Sequence, residues 1–327
     1  MFKALLLTQE NKQTRANLTD LDDSALPEGE VIVRTDYTSI NYKDALAVTG
    51  GSPIVRKWPM VPGIDLAGTV ESSAHPDWKA GDRVVINGWG MGEEHWGGMA
   101  QKARVPASWL LRLPDGFSTH TAMAVATAGY TAALCVMALQ KHGLQPGDGE
   151  VLVTGASGGV GSVAVALLAG LGHRVVASTG KTAEGEYLKF LGAAEIIDRA
   201  TLTEPGKPLQ KERWAGVVET VGSHTAVNAC AQTRWNGAVA ACGLAQGPDF
   251  PATMMPFILR GVTLYGINCV HQPNSVRSQA GALIARHVRP DQLAQMTVDI
   301  GLSQVVDYSG RLLDGKVRGR TVVDCNR

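Results

Sequence analysis

The sequence predicts an α/β chain in two parts, a β-rich lobe followed by an open, doubly wound parallel sheet. Three observations predict it. Short β-prone runs punctuated by Pro and Gly occupy the first third. From about residue 150 onward, apolar strands alternate with helices. Three glycines at a spacing of three, Gly155, Gly158 and Gly161, stand between the first of those strands and its helix. The 327 residues exceed the ~100–200 of one ordinary core and call for two domains, 1–122 with 270–327 and 123–269.

In chain order, 3–8, 31–37, 65–71 and 83–87 read as strands of the first lobe, separated by Pro27, Gly29, Pro62, Gly63 and a Gly81-Asp82 turn. The longest apolar run, 122–139, is interrupted by Thr127, Gly129 and Thr131 and is shorter than the ~20 apolar residues that span a bilayer, so a buried helix is expected. After a break at 145–149, 150–154 reads as a continuous apolar strand, 160–171 as an apolar helix and 174–178 as a second strand. The segments 184–191, 195–198, 216–219 and 238–242 carry the alternation on, and 263–268 fits a last strand. Strands this apolar need cover on both faces, which a parallel sheet flanked by helices supplies. Beyond it, 278–287 has helical spacing. The strand-like run 320–324 has no local partner, which sends the tail back to the first lobe.

Thirty basic residues balance thirty acidic ones, so no overall field exists to hold nucleic acid or an anionic membrane, and neither partner is expected. Five scattered cysteines without a C-x-x-C pair suit reduced thiols rather than a disulfide framework or a Cys-rich zinc module. The first ten residues lack the apolar core and cleavage site of a signal peptide, and a cytoplasmic location is expected.

The glycine run carries the chemistry. A side chain at Gly158 would block the approach of a pyrophosphate, and a helix opening near Gly159 aims its free N–H groups and positive end at the anion. Gly161 lets that helix pack close to the strand. Ser157 and Val160 complete the loop, whose bland alternative is a Gly-rich turn without a ligand. At the end of the second strand, where an NAD-selective fold carries Asp or Glu, the sequence reads Ser178-Thr179-Gly180-Lys181, and no acid follows before Glu184. A hydroxyl and a cation there suit a 2′-phosphate, which makes NADPH (NADP+) the expected cofactor, with Arg199 as a second cation. Either cation read alone is also an ordinary exposed charge.

Several stretches together resemble the medium-chain dehydrogenase/reductase superfamily: Asn41-Tyr-Lys-Asp44, Val61-Pro-Gly-Ile-Asp-Leu-Ala-Gly68, Gly81-Asp-Arg-Val84, Gly97-Gly98-Met-Ala100, the 155–161 loop and Gly319-Arg-Thr-Val322. The resemblance spans essentially the whole chain and implies a GroES-like catalytic domain beside a Rossmann cofactor domain. Zinc-dependent members carry a Cys where Asn41 stands and a His-Glu pair where Ile64-Asp65 stands. No Cys occurs before Cys135 to build their structural zinc lobe, so no metal is expected. His75, His95, His120 and His142 show no metal-ligand spacing. Within the zinc-free branch the chain is most similar to the acrylyl-coenzyme A reductase group, through 41–46, 88–98, 127–132 and 255–260; the match loosens over 271–301.

That resemblance implies hydride transfer from NADPH to an alkene conjugated with a thioester, acryloyl-CoA to propanoyl-CoA being the best match. The alternative is a broad quinone or enone oxidoreductase. Such chemistry develops an enolate oxyanion. Asn41 and Tyr42 are the expected catalytic donors, with Asp44 orienting neighbours or the nicotinamide ribose; the bland alternative is a structural Asn/Asp turn. Tyr42, Gly243, Leu244, Ile258 and Asn268 are further expected cofactor contacts. Cys242 reads as a small apolar wall, and Arg320 as a phosphate partner on the returning tail. The family also implies a homodimer paired through the edge strand near 264–268, and a small-molecule substrate, an acyl-CoA thioester or an enone or quinone.

Overall fold

The structure, a computed structural model, describes the backbone of residues 1–327 and every side chain except that of Thr182. The chain divides into two compact units: Met1–Thr127, Val270–Ser278 and Thr297–Arg327 form unit 1, and Ala128–Cys269 with Gln279–Met296 form unit 2.

Unit 1 opens with an antiparallel hairpin, β1 (Phe2–Glu10) and β2 (Gln13–Leu21), turned at Asn11 and Lys12, both with positive φ. Then come β3 (Val31–Ser39), α1 (Tyr42–Thr49), β4 (Asp65–Ser73), β5 (Arg83–Asn87), β6 (Lys102–Val105) and β7 (Leu111–Arg112). The long apolar run becomes α2 (Thr119–His142), the only helix among the described residues that is long and apolar enough to cross a membrane. It is a core helix, 83% buried over its most apolar window. It is broken at Ala126, with φ 42° and ψ −156°, one residue before the chain leaves unit 1.

Unit 2 alternates as expected. In chain order its elements are β8 (Glu150–Val153), α3 (Gly159–Gly170), β9 (Arg174–Thr179), α4 (Gly185–Leu191), β10 (Glu195–Asp198) and the one-turn α5 (Ala200–Thr203). They continue through β11 (Trp214–Glu219), α6 (Ser223–Gln232), β12 (Thr233–Ala241), α7 (Met255–Arg260) and β13 (Thr263–Gly266). The sheet runs β10-β9-β8-β11-β12-β13, parallel throughout, so the strand order reverses between β8 and β11, where such sheets bind ligands beyond their carboxyl ends. Val151, Leu152, Val153, Val217 and Val218 are fully buried, as strands covered on both faces require.

The tail supplies α8 (Asn274–His287), α9 (Pro290–Met296), β14 (Thr297–Gly301), α10 (Val305–Leu313) and β15 (Arg320–Asp324). The run at 320–324 lies inside the unit 1 sheet, β14-β15-β3-β4-β5-β7, parallel to β14 and antiparallel to β3. The expectation that all of 270–327 joins the first lobe is corrected at Gln279–Met296, which group with unit 2. There Ala280 and Ile284 are buried, Gln292 Nε2 donates to Leu191 O at 2.9 Å, and Gly170 leaves room for the His287 carbonyl, which an added Cβ would strike at 2.1 Å. The first lobe ends at Thr127 rather than at 122, because Ala122, Met123, Ala124 and Ala126 pack into a unit 1 core with Ala67, Val85 and Val322.

Candidate functional site

In unit 2, Gly158 caps α3, whose first residues are Gly159 and Val160; a helix start without side-chain caps presents its N–H groups outward. Gly155 adopts φ +55°, and a Cβ on Gly161 would fall 2.3 Å from Gly155 O, so the tight turn and the close helix approach both require glycine. Beside the loop, Ser157 Oγ and Thr179 Oγ1 lie 2.9 Å apart, and Lys181 N donates to Thr179 Oγ1 at 3.1 Å. Arg199 closes the other side: its N donates to Thr179 O at 3.0 Å, and its Nε would be 2.4 Å from a Cβ on Gly180. The end of β9 is thus a cradle with two cations beside it, a donor set that fits a phosphate.

The strand ends β12 and β13 bring Gly243 and Asn268 to the same end of the sheet; Ile267 N donates to Ala241 O, and a Cβ on Gly243 would meet Thr220 O at 1.9 Å. Leu244 is 58% exposed there. Cys242 Sγ is 3.5 Å from Glu219 O and hydrogen-bonds Cys135, whose thiol is pushed well above its ordinary range by that contact and by burial. Ile258 does not belong with this group: it stands 71% exposed on α7 among Met254, Met255 and Leu259, a surface patch rather than a loop lining.

In unit 1, β3 ends at Ser39, Asn41 caps α1, and Tyr42 and Asp44 lie in its first turn. Asp44 is fully buried. Its Oδ2 accepts from Asn41 N at 2.8 Å and Asn41 Nδ2 at 3.0 Å, and its Oδ1 from Ile64 N at 2.9 Å. Burial and the neighbouring Asp65 charge push its carboxyl up to about 7, against those hydrogen bonds. Asp65, also buried, accepts from Ser39 Oγ, Asn41 Nδ2 and Asn87 Nδ2, each at 2.7 Å, and from Thr127 N and Oγ1. Thr127 N is available because the break at Ala126 interrupts the helical ladder. Arg320 sits beneath: its Nε donates to Ala124 O at 3.0 Å and its Nη1 to Asn41 Oδ1 at 3.3 Å.

Three expected roles are corrected here. Asn41 cannot lend its amide to a substrate oxyanion, because Ser39 Oγ, Asp44 Oδ2 and Asp65 Oδ2 already surround its two N–H groups. Asp44 is too deeply buried to reach a ribose, and it orients its neighbours instead. Arg320 is 2% exposed and held by unit 1, which removes it as a phosphate partner. Tyr42, 43% exposed, keeps its hydroxyl free of partners among the described residues. Ser39 and Asn87 were not singled out from the sequence, and Asp65 and Thr127 were noticed only as parts of longer stretches, without a role at the site. A charged residue heading the small apolar run Leu66-Ala67-Gly68 is the signal that marks Asp65.

Residues 27–115 match the family model described as "Alcohol dehydrogenase GroES-like domain", and residues 159–286 the one described as "Zinc-binding dehydrogenase". A zinc ion does not fit the donors at the corresponding positions. Asn41 presents amide hydrogens, Ile64 offers no donor atom, and the lone pairs of Asp65 are taken up. Among the described residues no three His, Cys, Asp or Glu side chains group as ligands. Acrylyl-CoA reductase AcuI of Ruegeria pomeroyi is 49% identical over the full length of both chains. The yhdH oxidoreductase of Salmonella enterica, solved in complex with NADP, superposes with a TM-score of 0.97 at 47% identity, covering 98% of this chain and 99% of that one. Bacillus subtilis yhfP, solved with NAD bound, gives 0.94 at 39% identity and covers 99% of each. Full-length identity at this level, on a GroES-like unit joined to a Rossmann sheet, places the chain in the medium-chain dehydrogenase/reductase superfamily, within the acrylyl-coenzyme A reductase group.

Proposed function

We propose that the chain is an oxidoreductase that uses NADPH to reduce the activated alkene of acryloyl-CoA to propanoyl-CoA. The observation that carries the reading is the end of β9, where Thr179, Gly180, Lys181 and Arg199 offer a hydroxyl and two cations, and where the carboxylate paired across from Thr179, Asp198, accepts from Ala200 N. A 2′-phosphate finds partners there, whereas β9 itself ends without the acidic residue that would accept from a bare ribose 2′-OH. Gly155, Ser157, Gly158, Gly159, Val160 and Gly161 would hold the pyrophosphate, with Gly243, Leu244 and Asn268 nearer the nicotinamide. When bound, the cofactor supplies the hydride.

Reduction of the conjugated alkene puts negative charge on the thioester oxygen and requires one proton at the α-carbon. The Tyr42 phenol is the group of the 41–44 turn left free to donate to that oxygen or to supply that proton. Asn41 and Asp44 hold the turn that carries it. The free thiols are consistent with a reducing cytoplasm, and the unpaired edge of β13 with the apolar outer face of α7 supports a homodimer.

The test compares acryloyl-CoA with a benzoquinone, each with NADPH and NADH, by kcat/KM on one preparation. Acryloyl-CoA with NADPH should lead. A benzoquinone that outperforms it would assign the chain to the broad quinone or enone oxidoreductases, and parity between the cofactors would remove the 2′-phosphate reading.

A further inference from the structure

We propose that Asp65 is the positioning residue for Tyr42: a carboxylate that never touches substrate but fixes the turn from which the phenol projects. The proposal rests on the functional reading above, and extends it to a residue in which that reading assigns no part. Asp65 is fully buried and accepts hydrogen bonds from three elements and a cap: Ser39 at the end of β3, Asn41 at the start of α1, Asn87 at the end of β5 and Thr127 at the break in α2. Its own carbonyl accepts from Thr38 Oγ1 at 2.7 Å. A buried charge satisfied this fully has one well-defined orientation, and groups bound to it share that definition.

The contacts toward α1 close a ring. Asp65 Oδ2 holds Asn41 Nδ2, Asn41 Nδ2 and N hold Asp44 Oδ2, Asp44 Oδ1 holds Ile64 N, and Ile64 is joined to Asp65 through the chain. Tyr42 lies within the span from Asn41 to Asp44, so its backbone is fixed by this ring rather than by helix propensity in a helix of only eight residues. Arg320 Nη1 on Asn41 Oδ1 fixes which way the amide faces, keeping its N–H groups toward the two carboxylates. Positions 41, 64 and 65 thus carry a hydrogen-bonded ring, and the group presented to substrate is the phenol.

The experiment is a double-mutant cycle on the full chain, with Asp65→Asn, Tyr42→Phe and the pair. Turnover of acryloyl-CoA, NADPH affinity by fluorescence titration and thermal midpoint are each measured. An Asn at 65 turns an amide N–H toward groups that are themselves donors and should lower kcat roughly a hundredfold, the scale of a misplaced catalytic group. NADPH affinity should stay within about twofold, because the phosphate loop belongs to unit 2. Adding Asp65→Asn to Tyr42→Phe should cost little further turnover, since the residue acts through the phenol already removed. Thr127→Val serves if Asp65→Asn does not fold: it deletes one hydroxyl, keeps the charge, and should give a smaller loss with the same non-additivity.

A readout independent of turnover is the fluorine resonance of 3-fluorotyrosine at position 42, assigned by its disappearance in Tyr42→Phe. The proposal expects Asp65→Asn or Thr127→Val to shift or broaden it. Losses that multiply in the double variant, or a fluorine line unmoved in both single variants, would overturn the proposal. A wild-type chain that binds NADPH but does not reduce acryloyl-CoA would overturn the functional reading, and the fluorine line alone would then judge Asp65.

Discussion

Asn41 and Tyr42 are adjacent and both carry donors, yet the structure spends one on the protein and leaves the other free. The sequence showed the right turn but could not apportion its atoms, because two of the three acceptors that consume the Asn41 amide come from outside it, from residues 39 and 65. Tyr42→Phe should therefore lower kcat for acryloyl-CoA by roughly 10²-fold with NADPH affinity retained, the scale of losing one general acid or oxyanion donor. Stopped-flow turnover at saturating cofactor measures it, and an unchanged kcat would move the proton source elsewhere. At the cofactor end, Arg199→Ala and Lys181→Ala should each weaken NADPH roughly tenfold or more and leave NADH nearly unaffected, as loss of a charge-assisted phosphate bond implies. Fluorescence titration with both cofactors separates that outcome from general damage.

Asp44 gives a pH dependence of defined sign. Its carboxyl is raised from an ordinary 3.8 to about 7, chiefly by burial and next by Asp65, with Arg320 as the cation facing both. The folded chain therefore keeps a proton that the unfolded chain releases above about pH 4, so this contribution favours the fold at acid pH. It declines as pH rises toward about 7 and then levels off. Asp44→Asn cannot titrate, so the gap in thermal midpoint between wild type and variant should move in favour of the variant from about pH 4.5 to 7.5. Parallel profiles would show that Asp44 does not titrate in that range.

At the scale of elements, the cofactor sheet was the more legible half. Continuous apolar runs bounded by turns are hard to mistake when both faces are buried, and β10 spans the residues read as a strand. The missed hairpin strand β2 alternates between half-buried and exposed residues that are mostly polar, which leaves little hydrophobic signal. The break in α2 was invisible for another reason: an Ala at φ 42° and ψ −156° occupies a region that normally needs Gly, and only the contact of Thr127 with Asp65 explains it. Ala126→Gly should accordingly be nearly neutral, within about 0.5 kcal/mol, relief of strain offsetting the lost methyl and added chain entropy. Ala133→Gly, equally buried on the regular part of the same helix, should cost about 1 kcal/mol or more. Denaturant titration of the pair checks the contrast, and equal losses would argue that the break carries no strain.

At the scale of the molecule, the division of labour follows the chain. Unit 2 holds the phosphate cradle and unit 1 the carboxylate ring, so substitutions should sort into those that change cofactor affinity and those that change turnover. Unit 2 also carries the exposed apolar face. Met254, Ile258 and Leu259 are 64%, 71% and 59% exposed beside the edge strand β13, in which Leu264 is 37% exposed. Ile258→Asp combined with Leu259→Asp should convert the proposed dimer to species of half the mass in sedimentation velocity, without unfolding by circular dichroism. A wild-type chain that sediments as a monomer, or a variant that keeps the dimer mass, would remove α7 from the interface.

The placement of β15 also bears on how the protein is made. This strand lies between β14 and β3, and Arg320 at its start faces the Asn41 amide, yet every residue of unit 2 precedes it in the chain. During synthesis the cofactor sheet can close early on largely sequential pairings. The other sheet must wait, with β14 unattached, until the last strand emerges to join it to β3, a long-range closure of the slow, aggregation-exposed kind. A chain truncated after residue 319 should therefore still hold NADPH while its Asn41 amide lacks the contact from Arg320.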